Sequence, residues 1–215
     1  MAAANGTAET AKFYLSMVTD VFSRHLRGLV MADKRPSDDV ISYLHWSQVQ
    51  TGRPLKRFHT DGGKEYNRAE TVLESRGVKV TRTPVRTPQW NAIAERKNRT
   101  VLEMARSLLL HALLDPDVFW QFAVETAIFI HNRVTVVQPH GKTPHELFTG
   151  RKPDLGRFRV FGCDAFVRVS TEHPDKLSAR AEKGVFVGYD SKREGSFRVW
   201  VEGRVIVSRD VQFML

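Results

Sequence analysis

Arg57-Phe58-His59-Thr60-Asp61-Gly62-Gly63 and Asn91-Ala92-Ile93-Ala94-Glu95-Arg96-Lys97-Asn98-Arg99-Thr100 are the stretches that decide the fold of this chain. The first reads as a strand that carries Asp61 to its end, where two glycines let the backbone turn sharply. A second Val/Thr-rich strand follows at 78–83, then a loop punctuated by Pro84 and Pro88. The second stretch then opens a long helix with Glu95 in its first turn. Two carboxylates therefore stand at the ends of two elements, and Glu95 can be aimed back at Asp61 over a metal ion. Cutting or joining a phosphodiester by in-line attack uses two divalent cations about 4 Å apart, and hard Mg2+ prefers oxygen ligands.

The charge around these acids points the same way. Over 215 residues, 33 Lys and Arg against 24 Asp and Glu leave a net charge of +9, with a pI near 9.9. Such a balance favours a polyanionic partner, and solubility alone is the bland alternative. The cations are clustered: Arg53, Lys56 and Arg57 precede Asp61, Arg82 and Arg86 precede the helix, and Arg96, Lys97 and Arg99 surround Glu95. Cations flanking an acidic site are placed to hold phosphates. The single cysteine, Cys163, excludes a disulfide framework and reads as a small packing residue in an apolar strand. His59, two residues before Asp61, could touch a metal or DNA, but a partly packed strand histidine is the plainer reading. With no signal segment and no long apolar run, a soluble intracellular protein with no membrane partner is expected.

Outward from the two stretches, 13–18 and 24–31 read as a hairpin with Asp20 and Ser23 in its turn. Ser37 is a good N-cap for a helix ending at Thr51-Gly52. A shorter helix at 67–76 is closed by Gly77. The Glu95 helix runs over 92–114 with Ala94, Val101, Ala105, Leu108, Leu109 and Ala112 as its core stripe. Asp115-Pro116 breaks it. An aromatic-rich helix at 118–134 follows, fitted to a core or a subunit interface rather than to a nucleic-acid platform. Prolines and glycines at 137–157 mark a domain boundary, so the expected organisation is a core at 1–136, a linker at 137–157 and a β domain at 158–215. Strands are expected at 159–169, 183–189, 196–201 and 204–207.

Several pieces in the right order, "HTDGGKEY", "TPVRTPQWNAIAERKNRTVLEMARSLL", "HNRV", "KTPHELFTGRKPDLGRFRVFGC" and "KGVFVGYDSKREGSFRVW" followed by "VIVSRDVQFM", resemble the integrase region of copia-type LTR retrotransposon polyproteins. The resemblance spans about residues 13–215. It implies an α/β core with a ribonuclease-H-like mixed sheet and flanking helices, then a small all-β SH3-like barrel. Asp61 would be the second acid of a catalytic, metal-binding carboxylate triad and Glu95 its Glu, holding Mg2+ or Mn2+. Lys97, Asn98, Arg99 and Arg86 would contact DNA, although Asn98 and Arg99 suit a solvated helix surface equally well. Homo-oligomers through core helices and action on DNA in the nucleus would follow.

Three departures qualify the resemblance. The family's leading Asp lies in a hydrophobic-Asp-x-x-Gly-Pro strand before the hairpin that begins here at Lys12, whereas residues 1–11 contain no Asp. The chain thus reads as truncated just after that strand, with Asp20 a turn residue rather than a substitute. Because that strand would pair between those near 13 and 61, a weakened or open sheet is expected. Gly62-Gly63-Lys64 replaces the usual Asn-Gly-Gly, and Ala92 the usual Gly. The function expected is that of an integrase fragment unable alone to perform strand transfer. A domesticated DNA- or chromatin-binding module and a ribonuclease-H-type nuclease remain the alternatives.

Overall fold

The computed structural model describes residues 14–31, 35–84, 92–168 and 181–214. These fall into two compact units, one from the described residues of Met1–Met17 with Gly28–Ala92, the other from Val18–Arg27 with Ile93–Leu215. Strands β1 (Tyr14–Thr19) and β2 (Leu26–Met31) pair with each other, and their turn falls in the second unit. Asp20 builds that turn. Its Oδ2 accepts from the Ser23 N–H at 2.7 Å and from the Ser23 hydroxyl at 2.6 Å.

In the first unit, helix α1 (Ser37–Thr51) ends on Gly52, whose φ of 63° is the left-handed C-cap that glycine adopts without strain. Ser37 is not the N-cap. Pro36 occupies that position, and the buried Ser37 hydroxyl instead donates to the Glu65 carbonyl at 2.6 Å, tying α1 to the chain ahead of α2 (Asn67–Ser75). Strands β3 (Arg57–Thr60) and β4 (Lys79–Arg82) are parallel, with Phe58 beside Val80 and Thr60 beside Arg82. Parallel neighbours require a crossover, which α2 supplies. Val40, Tyr43 and Leu44 of α1 and Phe58, Ala69, Leu73 and Val78 are its buried apolar residues. Among the described residues the β1–β2 and β3–β4 ladders are separate, and the segment before β1 on which the expected open sheet turns lies outside the described residues.

The second unit is built on helices α3 (Ala92–Ala112) and α4 (Pro116–Val134), with a short α5 (Pro144–Thr149). Asp115-Pro116 does more than break α3: the Asp115 carboxylate caps the Asp117 N–H at 2.9 Å and Pro116 sits at the first helical position, so α4 begins two residues earlier than predicted. Strands β5 (Asp164–Arg168), β6 (Ala181–Tyr189), β7 (Phe197–Val201), β8 (Arg204–Ser208) and β9 (Val211–Phe213) form one antiparallel sheet in the order β8-β7-β6-β5-β9. Its core is Ala165, Val167, Phe186, Phe197, Val199 and Val201, with Cys163 packed beside them. Cys163 is thus the packing residue expected, its thiol pushed up by burial. Residues 159–163 are not strand as predicted. They turn at Gly162, whose φ is 85° and where a Cβ would lie 2.2 Å from that of Ala112.

The aromatic face of α4 packs on this sheet. Trp200 meets Phe119 and Phe122 edge-on at 5.4 and 5.8 Å, and Tyr189 stacks on Phe129 at 3.8 Å. Gly188 permits the approach: its φ is 128°, and a Cβ there would stand 2.4 Å from the Thr126 hydroxyl. Glu125 of α4 and Arg198 of β7 close the contact as an ion pair. The stretch 137–157 lies inside this unit.

Candidate functional site

Asp61 stands immediately after β3, exposed, with its Oδ1 accepting from the Gly63 N–H at 3.1 Å. This turn of the aspartate side chain onto the backbone two residues on fixes the carboxylate at the strand end. Behind it lies a polar lock that sequence reading missed. The buried Thr60 hydroxyl donates to Glu70 Oε1 at 2.7 Å and accepts from the Gly62 N–H at 3.2 Å. Glu70 is itself 2% exposed, and its other oxygen accepts from Arg82 Nε at 2.9 Å. Arg82 is held further toward its charged form by that bond and by the Glu70 charge. The one sequence signal was the Thr directly preceding Asp61, which links to an acid a full helix turn into α2. His59 is exposed, its ring nitrogens meeting the Thr81 and Thr83 hydroxyls at 2.9 and 3.1 Å.

Glu95 belongs to the second unit, exposed in the first turn of α3, as are Asn98 and Arg99 further along the helix. Lys97 differs. It is half-buried, with Nζ 3.2 Å from His131 Nε2 on α4, while His131 Nδ1 meets the Thr135 hydroxyl at 3.1 Å. Burial, with Arg24 and Arg96 nearby, lowers the lysine's proton affinity, and burial with the Lys97 charge pushes His131 down to about 4. Lys97 is therefore anchored within the unit, while Arg99 is open to a partner. Arg86 lies outside the described residues.

The chemistry of the donor set limits what these residues hold. Among the described residues no group of three or more His, Cys, Asp or Glu could hold a metal ion. Asp61 in the first unit and Glu95 in the second each offer one exposed carboxylate, so neither unit by itself fits a two-cation centre. No helix among the described residues is long and apolar enough to cross a membrane.

Comparison with known proteins gives this architecture a class. A family model described as the retroviral polymerase SH3-like domain matches residues 163–214, the span of β5 to β9. A chain in the cryo-EM structure of the simian T-cell lymphotropic virus intasome in complex with PP2A regulatory subunit B56 gamma is 18% identical, with a TM-score of 0.52 over 86% of this chain and 66% of that one. The fold is a ribonuclease-H-like integrase core followed by an SH3-like sheet. In sequence, the Retrovirus-related Pol polyprotein from transposon TNT 1-94 of Nicotiana tabacum is 36% identical over 207 residues, 94% of this chain and 15% of the polyprotein. The Pol polyprotein from transposon RE1 of Arabidopsis thaliana is 27% identical over 202 residues, 93% of this chain and 14% of the polyprotein. The chain belongs to the integrase region of the copia-type retrotransposon Pol polyproteins. It spans about a seventh of the length of these curated relatives.

Proposed function

We propose that this chain is the DNA-binding part of a retrotransposon integration apparatus, acting on chromosomal DNA in the nucleus. The observation that carries the reading is the exposed, basic first half of α3, where Arg96 and Arg99 flank an exposed Glu95. Arg99, an exposed cation beside a carboxylate, is assigned to hold a phosphate against the reacting site, and the exposed Asn98 amide to donate to one. Arg86 is assigned with them on its place in the sequence alone, just before the helix. Lys97 supports that surface from behind through His131. Homo-oligomers are assigned to the core helices. Leu102, Leu110 and Leu113, at and just after α3, are exposed at 46, 69 and 92%, whereas the α4 aromatics are occupied by the chain's own sheet.

Asp61 and Glu95 are the carboxylates assigned to a divalent cation, Mg2+ or Mn2+. The first Asp of the chain is Asp20, which the hairpin turn consumes, so this set lacks the third acid that the family resemblance implies. On this reading the chain alone binds DNA without joining it. Strand transfer of transposon-end duplex with Mg2+ or Mn2+ tests this. The chain gives no product; preceded by a strand bearing the family's leading Asp it does, and Asp61→Asn or Glu95→Gln abolishes the gain. Transfer by the chain alone, or transfer that survives both substitutions, contradicts the assignment.

A further inference from the structure

The hairpin turn brings Arg24, His25 and Arg27 against the helices of the second unit. Leu26 fixes them there: its N–H donates to Asn132 Oδ1 at 2.9 Å and its carbonyl accepts from Asn132 Nδ2 at 2.8 Å, both bonds buried. His25 stacks on Phe148 of α5 with ring centres 4.3 Å apart. Arg133 of α4 lies over the Phe129 ring at 3.6 Å, and Lys97 meets His131 at 3.2 Å. Three polar atoms of the turn and the start of β2, Arg24 Nη1, His25 Nδ1 and Arg27 Nε, are buried and have no hydrogen-bond partner among the described residues.

The charges are near enough to act on one another. Burial, then His145, Arg133, Arg27 and His131, push His25 down to about 3, and Arg24 acts on Lys97. Burial holds Arg133 near 10, against the pull of Glu194 and Tyr189, and the Glu194 carboxylate acts on His145 as well. Glu194 is thus the exposed carboxylate that acts on this group of cations, while the Asp20 carboxylate of the same turn is taken by Ser23. Packing this many positive groups together with buried, unused donors is unfavourable for the protein by itself and favourable for a tetrahedral oxyanion, which accepts from guanidinium and imidazole at once.

We propose that the hairpin turn, with α3 and α4, forms a phosphoryl-anion site in which Arg24, His25 and Arg27 donate to a phosphate and Lys97 and Arg133 supply charge. The site shares Lys97 with the proposed DNA surface but uses neither Asp61 nor Glu95, and its test with inorganic phosphate needs neither DNA nor strand transfer, so the two readings fail separately. The ligand is a phosphate group, either of a free phosphate ester or of a nucleic-acid backbone.

Thermal unfolding of the full chain in inorganic phosphate and in chloride, at matched pH and ionic strength, tests the site. Phosphate is expected to raise Tm saturably, and Arg24→Met with Arg27→Met to abolish the increment. Equal Tm in the two salts overturns the proposal, as does an increment that survives in the double variant, which marks a general salting effect. If that variant does not fold, the His25 imidazole 1H–15N signal of the unaltered chain decides: movement with phosphate supports the site and its absence overturns it. Duplex binding separates the sources once the phosphate increment is established. In the double variant, a slope of log K against log salt reduced by about one to two units assigns the site to backbone phosphate, and an unchanged slope assigns it to a free ester.

Discussion

The Thr60 hydroxyl donates to the Glu70 carboxylate at 2.7 Å, joining the last residue of β3 to the middle of α2. Through that bond a buried acid stands behind the turn that presents Asp61, and the Arg82 pair at the end of β4 neutralises it. Asp61 is thereby held by the βαβ unit as a whole rather than by a loop.

Glu70→Ala is therefore expected to destabilise the first unit by about 2–4 kcal/mol, since it leaves the buried Thr60 hydroxyl and Arg82 without their acceptor. Glu70→Gln, which keeps one acceptor, should cost less. Urea unfolding measures both, and a Glu70→Ala midpoint unchanged from the parent chain would show the lock to be idle.

Acid should weaken the second unit before carboxylate titration does. His25 and His131 are held near 3 and 4, below the 6.5 of an exposed histidine, so between about pH 6.5 and 4 the unfolded chain binds protons that the folded chain does not. Stability present above pH 6.5 is lost as pH falls through that window. Urea midpoints from pH 7.5 to 4.5 should decline, and His131→Gln should flatten the decline; a variant that tracks the parent across the range would refute this role for His131.

The seam between α4 and the β sheet depends on one missing side chain. Gly188→Ala should cost about 2–4 kcal/mol, because it combines a left-handed backbone with overlap onto Thr126. Adding Thr126→Ala should recover the overlap component only. Full recovery would mean that backbone conformation contributes nothing, and a neutral Gly188→Ala would mean that helix and sheet are not packed as described.

Much of this was legible in local sequence. Asp61 before two glycines, Glu95 in a first helical turn and the glycine at the end of α1 each state their geometry within a few residues, and the structure places them accordingly. What escaped depends on partners distant in the chain. Ser37 has the chemistry of an N-cap, yet a carbonyl 28 residues away takes its hydroxyl. Lys97 looks like its exposed neighbours Arg96 and Arg99, and only the fold turns it onto His131, 34 residues on. Strand β9 is three residues long, too short for its alternation to register, and exists because β5 offers it an edge. The 159–163 run has strand-like composition, but Gly162 must turn to pass Ala112.

Binding to duplex DNA tests the central claim most directly. Fluorescence anisotropy on a labelled duplex across a salt series should show affinity falling linearly in log K against log salt, with little preference for sequence. Arg99→Ala should lower the slope by about 0.9, the release of one phosphate contact. Binding that is absent, or that ignores salt, would contradict the account.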